Sequence, residues 1–336
     1  MAPADGDGPF AAGQFLLLLT VRALLDQRVL FFGGKGGVGK TTCASAFALT
    51  ASRRGKRVLL VSTDPAHSTS DIFERPFGRD EREVLPSLAG LEVDAEYEAR
   101  RYLEQVKERI GKMFAPEVVR EAFRQMDVVA GMPGLADVAL FDRITELVLT
   151  RLDTYDVIVF DTAPSGHTLR LLQMPDAMSS WVEALAARRR AATSAASSSV
   201  GDVGRRGSSV ANGDPVLETL TARQARLAAV RHLLTRYETT AFVLVLVPER
   251  LPIEESARAV HELDHAHLKV GAAIVNRVLP DGLSGEYYAA RKTQEGKYLE
   301  EIDRRFRGLP QVRIPLLESD VHGVEALARI ADFLVR

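Results

Sequence analysis

Residues 28–43 read Arg-Val-Leu-Phe-Phe-Gly-Gly-Lys-Gly-Gly-Val-Gly-Lys-Thr-Thr-Cys, and no other stretch restricts the fold as tightly. The apolar run at 29–32 reads as a buried strand ending in a glycine cluster. Gly34, Gly39, Lys40 and Thr41 satisfy G-x-x-x-x-G-K-[ST]. Glycines let the backbone turn tightly and bring successive N–H groups to phosphate oxygens. Lys40 supplies a cation for the β- and γ-phosphates, and the Thr41 hydroxyl is a ligand for Mg²⁺. The alanine-rich residues 42–52 read as a helix whose N-terminus points positive partial charge at the same phosphates. Strand, loop and helix together predict a nucleoside triphosphate site, with contacts from Gly34, Lys35, Gly36, Gly37, Val38, Gly39, Lys40, Thr41 and Thr42.

A chain of 336 residues buries about three quarters of its unfolded surface, so its core needs no staples. A net charge of −2, with 26% charged and 46% hydrophobic residues, gives no electrostatic case for nucleic acid or an acidic membrane surface. The single cysteine, Cys43, excludes an intrachain disulfide and fits a reducing, cytoplasmic compartment. Residues 1–27 form an N-terminal extension, its Gly/Pro/Asp-rich start expected to be disordered. Its apolar run at 15–21 is too short to span a bilayer and lacks the preceding basic residues of a signal peptide.

Short apolar runs at 56–62, 91–93, 155–161, 240–247, 269–275 and 312–315 read as further strands. Helical patterns cover 96–130, 141–152, 175–190, 215–236, 252–267 and 324–335. The alternation predicts an α/β fold with a doubly wound, mostly parallel sheet in residues 28–336. The runs 96–152 and 175–236 are too long for simple crossovers and predict an inserted helical subdomain, with a disordered Ala/Ser/Gly-rich insertion at 191–214.

Asp161 ends an apolar strand in the position of a Walker B aspartate, a second group for Mg²⁺. Asp64 also ends a strand and has no sequence-local basic partner, so it could orient or deprotonate the attacking water. Gly166 could offer its N–H to the γ-phosphate. The segments Gly34 to Thr42, Asp64-Pro65-Ala66-His67-Ser68 and Asp161-Thr162-Ala163-Pro164-Ser165-Gly166-His167-Thr168-Leu169-Arg170 resemble the P-loop, switch I and switch II of the ArsA/Get3 family, the deviant-Walker ATPases. That family includes arsenical-pump ATPases and ATPases that target tail-anchored membrane proteins. The resemblance implies a P-loop ATP hydrolase using ATP and Mg²⁺, and a homodimer in which Lys35 reaches the partner's nucleotide. It also implies adenine contacts from Val275-Asn276-Arg277 and from Ile314-Pro315-Leu316-Leu317, with Asn276 and Pro315 as the contacting residues. Two outputs follow from it: delivery of a client transmembrane segment, or arsenite/anion efflux through a membrane-channel subunit. A positioning ATPase of the wider class would want a basic DNA-binding face or an amphipathic tail, and neither is evident in the sequence.

The resemblance has gaps. Trivalent metalloids want thiolates, and Cys43 stands alone beside the P-loop; the Cys-x-x-Cys of the zinc-holding targeting factors is also absent from this chain. Apolar positions Tyr102, Val106, Ile110, Met113, Phe123, Met126, Met174, Met178 and Trp181 could line a client groove or be plain core. His261-Glu262-Leu263-Asp264-His265 matches H-E-x-x-H, with Glu286 as a conceivable third ligand, or else is a solvated helix face. His67 and His167 lie in the nucleotide-sensing loops, and Arg188-Arg189-Arg190 reads as a solvated helix end.

Overall fold

The computed structural model describes residues 21–64, 68–113, 119–120, 123, 134–162, 187, 215–282 and 284–334. It divides the chain into two compact units: Met1–Val93, Arg151–Leu169 and Leu234–Arg336 form one, Asp94–Thr150 and Arg170–Leu233 the other.

The first unit is built on an eight-stranded sheet: β1 (Val29–Gly33), β2 (Val58–Ser62), β3 (Arg82–Leu85), β4 (Leu88–Glu92), β5 (Val157–Asp161), β6 (Thr240–Leu246), β7 (Val270–Val278) and β8 (Gln311–Pro315). Spatial order is β3-β4-β2-β5-β1-β6-β7-β8, and every pair is parallel except β3/β4. The inner strands are continuous apolar runs because both sheet faces are covered. Alternation along β1 sends Phe31 to one face, where it stacks on its register partners Phe160 (4.7 Å) and Phe242 (5.0 Å). Phe32 goes to the other face and meets Phe47. Phe47 belongs to α1 (Lys40–Arg53), which is buried around most of its circumference; small alanines at 44, 46, 48 and 51 let it sit between the sheet and α8 (Gly323–Leu334). The chain leaves β1 toward β2 on one side and resumes at β6 on the other. Strand order therefore reverses at β1, the place where open α/β sheets bind ligands.

Several elements differ from the sequence reading. The antiparallel edge strand β3, whose first two residues are charged and exposed, was not expected; the strand expected at 91–93 is β4, which starts at Leu88. Between α6 (Arg250–His265) and α8 runs α7 (Glu286–Arg305), which the apolar pattern did not predict. Only Glu295 and Ile302 are buried along it, so it carries almost no amphipathic signal. The helix expected from 141 begins at Leu135. The extension at 1–20, the helix expected at 175–190 with Arg188-Arg189-Arg190, and the insertion at 191–214 lie outside the described residues, as do Met126, Met174, Met178 and Trp181.

The second unit contains α3 (Ala95–Met113), α4 (Leu135–Arg151) and α5 (Pro215–Thr235) for most of their lengths. Asp94 caps α3, its Oδ1 accepting from the backbone N–H groups of Glu96 (3.0 Å) and Tyr97 (3.1 Å). On α3 the charged Glu98 is buried, while Tyr102 and Val106 are only half-buried. Glu98 meets Arg101 at 3.1 Å and Arg143 of α4 at 3.7 Å; Glu146 closes the ring, 3.0 Å from Arg143 and 3.4 Å from Arg101. Glu98→Ala leaves Arg101 and the largely buried Arg143 to share Glu146. It is expected to destabilise the chain by about 1–3 kcal/mol in urea unfolding, as removing one acceptor from charged donors does.

Candidate nucleotide site

The site is assembled from the carboxyl ends of β1, β2, β5, β6 and β7. Register places Phe32 of β1 and Ser62 of β2 each opposite Asp161 of β5, so the loops that follow emerge side by side. Two threonines missed by the sequence reading bind these ends together. Thr63 donates its N–H (2.9 Å) and hydroxyl (3.2 Å) to the Asp161 carbonyl, and the Thr162 hydroxyl donates to the Phe32 carbonyl at 2.7 Å. Hydroxyl-to-carbonyl contacts across strands have no local sequence signature.

The glycine loop spans 33–39. A Cβ at Gly34 would lie 2.1 Å from the Val245 carbonyl oxygen, so any side chain there would push the loop off β6. Gly37 and Gly39 are left-handed, with φ of 80° and 94°. At Gly36 and Gly37 a Cβ would meet no atom within 4 Å, which leaves open room above the loop amides. Lys40, first residue of α1, is buried, as is Thr41 in part.

Asp161 is wholly buried, and neither carboxylate oxygen has a hydrogen-bond partner among the described residues. Burial pushes its pKa up to about 7; the nearby Thr41 hydroxyl, which does not close a well-formed bond, and the Lys40 ammonium pull it down, and Asp64 pushes it up further. An orphaned buried carboxylate facing a hydroxyl and a second carboxylate is what a hard divalent cation requires. The residues present therefore fit Mg²⁺, with Thr41 and Asp161 as holders. Asp64 is half-buried at the end of β2.

Asn276 of β7 is buried and donates Nδ2 to the Val38 carbonyl at 2.8 Å, bracing the glycine loop. A carbonyl can only accept, so Oδ1 points away and keeps its acceptor capacity. Arg277 next to it is left-handed at φ 57°, a conformation that costs a non-glycine residue. Val278 lies opposite Pro315 of β8, and the Leu316 N–H donates to the Val278 carbonyl at 2.8 Å. The two segments expected at the base are thus neighbours at one sheet end.

Lys35 lies at the loop tip, one-third exposed, its Nζ 3.3 Å from Oε1 of Glu255 on α6. Glu255 is another residue that sequence reasoning missed, because only the fold brings residue 255 beside residue 35. Cys43 is fully buried and its thiol is pushed up to about 12 by burial, so it is an inert core residue. His261 and His265 of α6 do meet, and among the described residues no third His, Cys, Asp or Glu, the conceivable ligand Glu286 included, joins them in a metal-binding group. Pro65, Ala66, His67, Gly166 and His167 lie outside the described residues. Among the described residues no helix is long and apolar enough to cross a membrane.

Comparison with known proteins agrees with this geometry. The anion-transporting ATPase (ArsA-type) family profile matches residues 27–336. A protein of Aquifex aeolicus, provisionally named arsenical pump-driving ATPase 2, is 37% identical over 92% of this chain and 99% of its own length. An ATPase named get3 from Pyrenophora tritici-repentis is 32% identical over 94% of both chains. Another, from Podospora anserina, is 33% identical over the same shares. The chain belongs to the anion-transporting ATPase family, the ArsA/Get3 ATPases, and is an ATP hydrolase.

Proposed function

We propose that the chain acts as a homodimeric, Mg²⁺-dependent ATPase that couples hydrolysis to the delivery of tail-anchored membrane proteins. The observation that carries this choice of output is Cys43. The chain's one thiol is sealed in the core at a pKa of about 12, so it offers no thiolate to arsenite. Full-length similarity to ATPases named get3 supports the same output. The half-buried apolar residues of α3, Tyr102 and Val106, are in keeping with a client surface.

In the proposed cycle the loop amides of 34–41 and the Lys40 ammonium take up negative charge on the β- and γ-phosphates. Thr41 and Asp161 would hold Mg²⁺, which would supply neutralisation of the phosphate charge. Asp64 orients the attacking water and accepts its proton, while the N–H of Gly166 attends the γ-phosphate and releases its loop as phosphate departs. Lys35 of each subunit stabilises the transferring phosphoryl group in the other, so hydrolysis requires the dimer to close.

Asn276 Oδ1 accepts from the adenine amino group, with Pro315 against the ring. Asn276→Ala therefore loses both the loop brace and the base contact. ATP affinity is expected to fall about tenfold, and preference for ATP over GTP to narrow, in competition binding.

A second reading, the ATPase subunit of an anion efflux pump, is favoured by the name of the Aquifex aeolicus relative. ATPase rates with arsenite and, separately, with a detergent-free transmembrane peptide decide between them. Stimulation by the peptide alone supports targeting; stimulation by arsenite alone overturns it.

A further inference from the structure

On the outer face of α6, His261 and His265 bring their Nε2 atoms to 3.1 Å, with ring centroids 4.3 Å apart and planes at 87°. Both side chains are exposed. We propose that His261 and His265 form a bidentate surface site for a borderline divalent transition ion such as Zn²⁺, separate from the nucleotide site.

The bite distance carries the argument. With metal–nitrogen bonds of about 2.0–2.1 Å, nitrogens 3.1 Å apart subtend about 100° at a shared ion, close to the tetrahedral angle. The backbone already holds the pair at i and i+4, so the entropy of gathering two donors has been met during folding. Imidazole is the ligand type such ions favour, and the competing soft donor, Cys43, is buried out of reach. Position helps as well. His265 is the last residue of α6, where the negative end of the helix dipole favours a cation. Water completes the coordination shell, since no third protein donor joins the pair among the described residues.

The alternative is a plain imidazole–imidazole hydrogen bond that holds no ion. Calorimetric titration of Zn²⁺ into the full, nucleotide- and Mg²⁺-free chain separates the two. The expected result is one ion per chain, bound about 10²-fold more weakly after either His261→Ala or His265→Ala, because each variant loses one of two linked donors. Both residues are exposed, so metal-free melting of the variants should match the parent chain. Binding should survive Asp161→Asn, and Cu²⁺ in the same position should show two coordinated imidazole nitrogens by electron paramagnetic resonance. Equal Zn²⁺ binding by parent and His261→Ala/His265→Ala chains would overturn the proposal, as would an ion lost with Asp161→Asn.

Discussion

A Lys35→Ala chain is expected to bind ATP like the parent and to hydrolyse it about 10³-fold or more slowly, the scale of a cation supplied in trans to a transferring phosphoryl group. The loop amides, Lys40, Thr41 and Asp161 remain in that variant, so ground-state binding is retained while transition-state charge goes unmet. In the single chain Lys35 is held by Glu255 at 3.3 Å, and both partners are about one-third exposed. Such a pair is worth at most about 1 kcal/mol, a tether that closure of a dimer can break. Glu255→Gln should accordingly raise basal turnover no more than about fivefold. Mixing provides the sharper test. Lys35→Ala and Lys40→Ala chains are each inactive alone, yet a mixed dimer holds one site with Lys40 from one subunit and Lys35 from the other. An equal mixture should recover about one quarter of parental activity, as half the dimers are mixed and each has one working site. A mixture as inactive as its components would mean that Lys35 acts within its own subunit, and the closing dimer would lose its catalytic reason.

The parallel sheet was legible because its inner strands are buried on both faces, which turns them into unbroken apolar runs such as 29–32 and 157–160. The glycine loop was legible because its residue types are dictated by backbone geometry, as the left-handed Gly37 and Gly39 and the crowded Gly34 illustrate. What stayed hidden was whatever depends on partners distant in sequence. Helix α7 buries only Glu295 and Ile302, so its pattern resembles solvent-exposed chain. The edge strand β3 is short and charged, as edges that avoid further pairing usually are. Asn276 could be placed near the base only by resemblance; its hold on Val38 joins β7 to the glycine loop across 238 positions. Glu255, Thr63 and Thr162 follow the same rule, each acting through an atom that the fold alone brings near.

Asp161 sets stability against activity. In the nucleotide- and metal-free chain its buried carboxyl has no hydrogen-bond partner among the described residues and titrates near 7, burial being the main cause. An unfolded aspartate titrates near 3.9, so between these values the folded chain holds a proton that the unfolded chain has released. Stability in EDTA is therefore expected to fall as pH rises from about 4 through 7, by at most about 4 kcal/mol. Asp161→Asn removes the ionisable group: its melting temperature in EDTA should exceed the parent's at pH 8 and lose this part of the pH dependence. With Mg²⁺ and ATP the order reverses. The parent gains about 2.7 kcal/mol at a hundredfold excess over its dissociation constant, whereas the variant, lacking a charged ligand for the ion, gains little. Its turnover should drop about 10²–10³-fold, the usual loss when a charge-stabilising group is removed from a reaction centre. On this reading the buried carboxylate, only partly offset by Lys40 and Thr41, is a cost to the free chain that a bound cation would relieve, so the nucleotide-loaded form is expected to be the more stable one. A variant that is both less stable in EDTA and fully active would show that Asp161 is a structural residue, and the cation would have to be held by other groups.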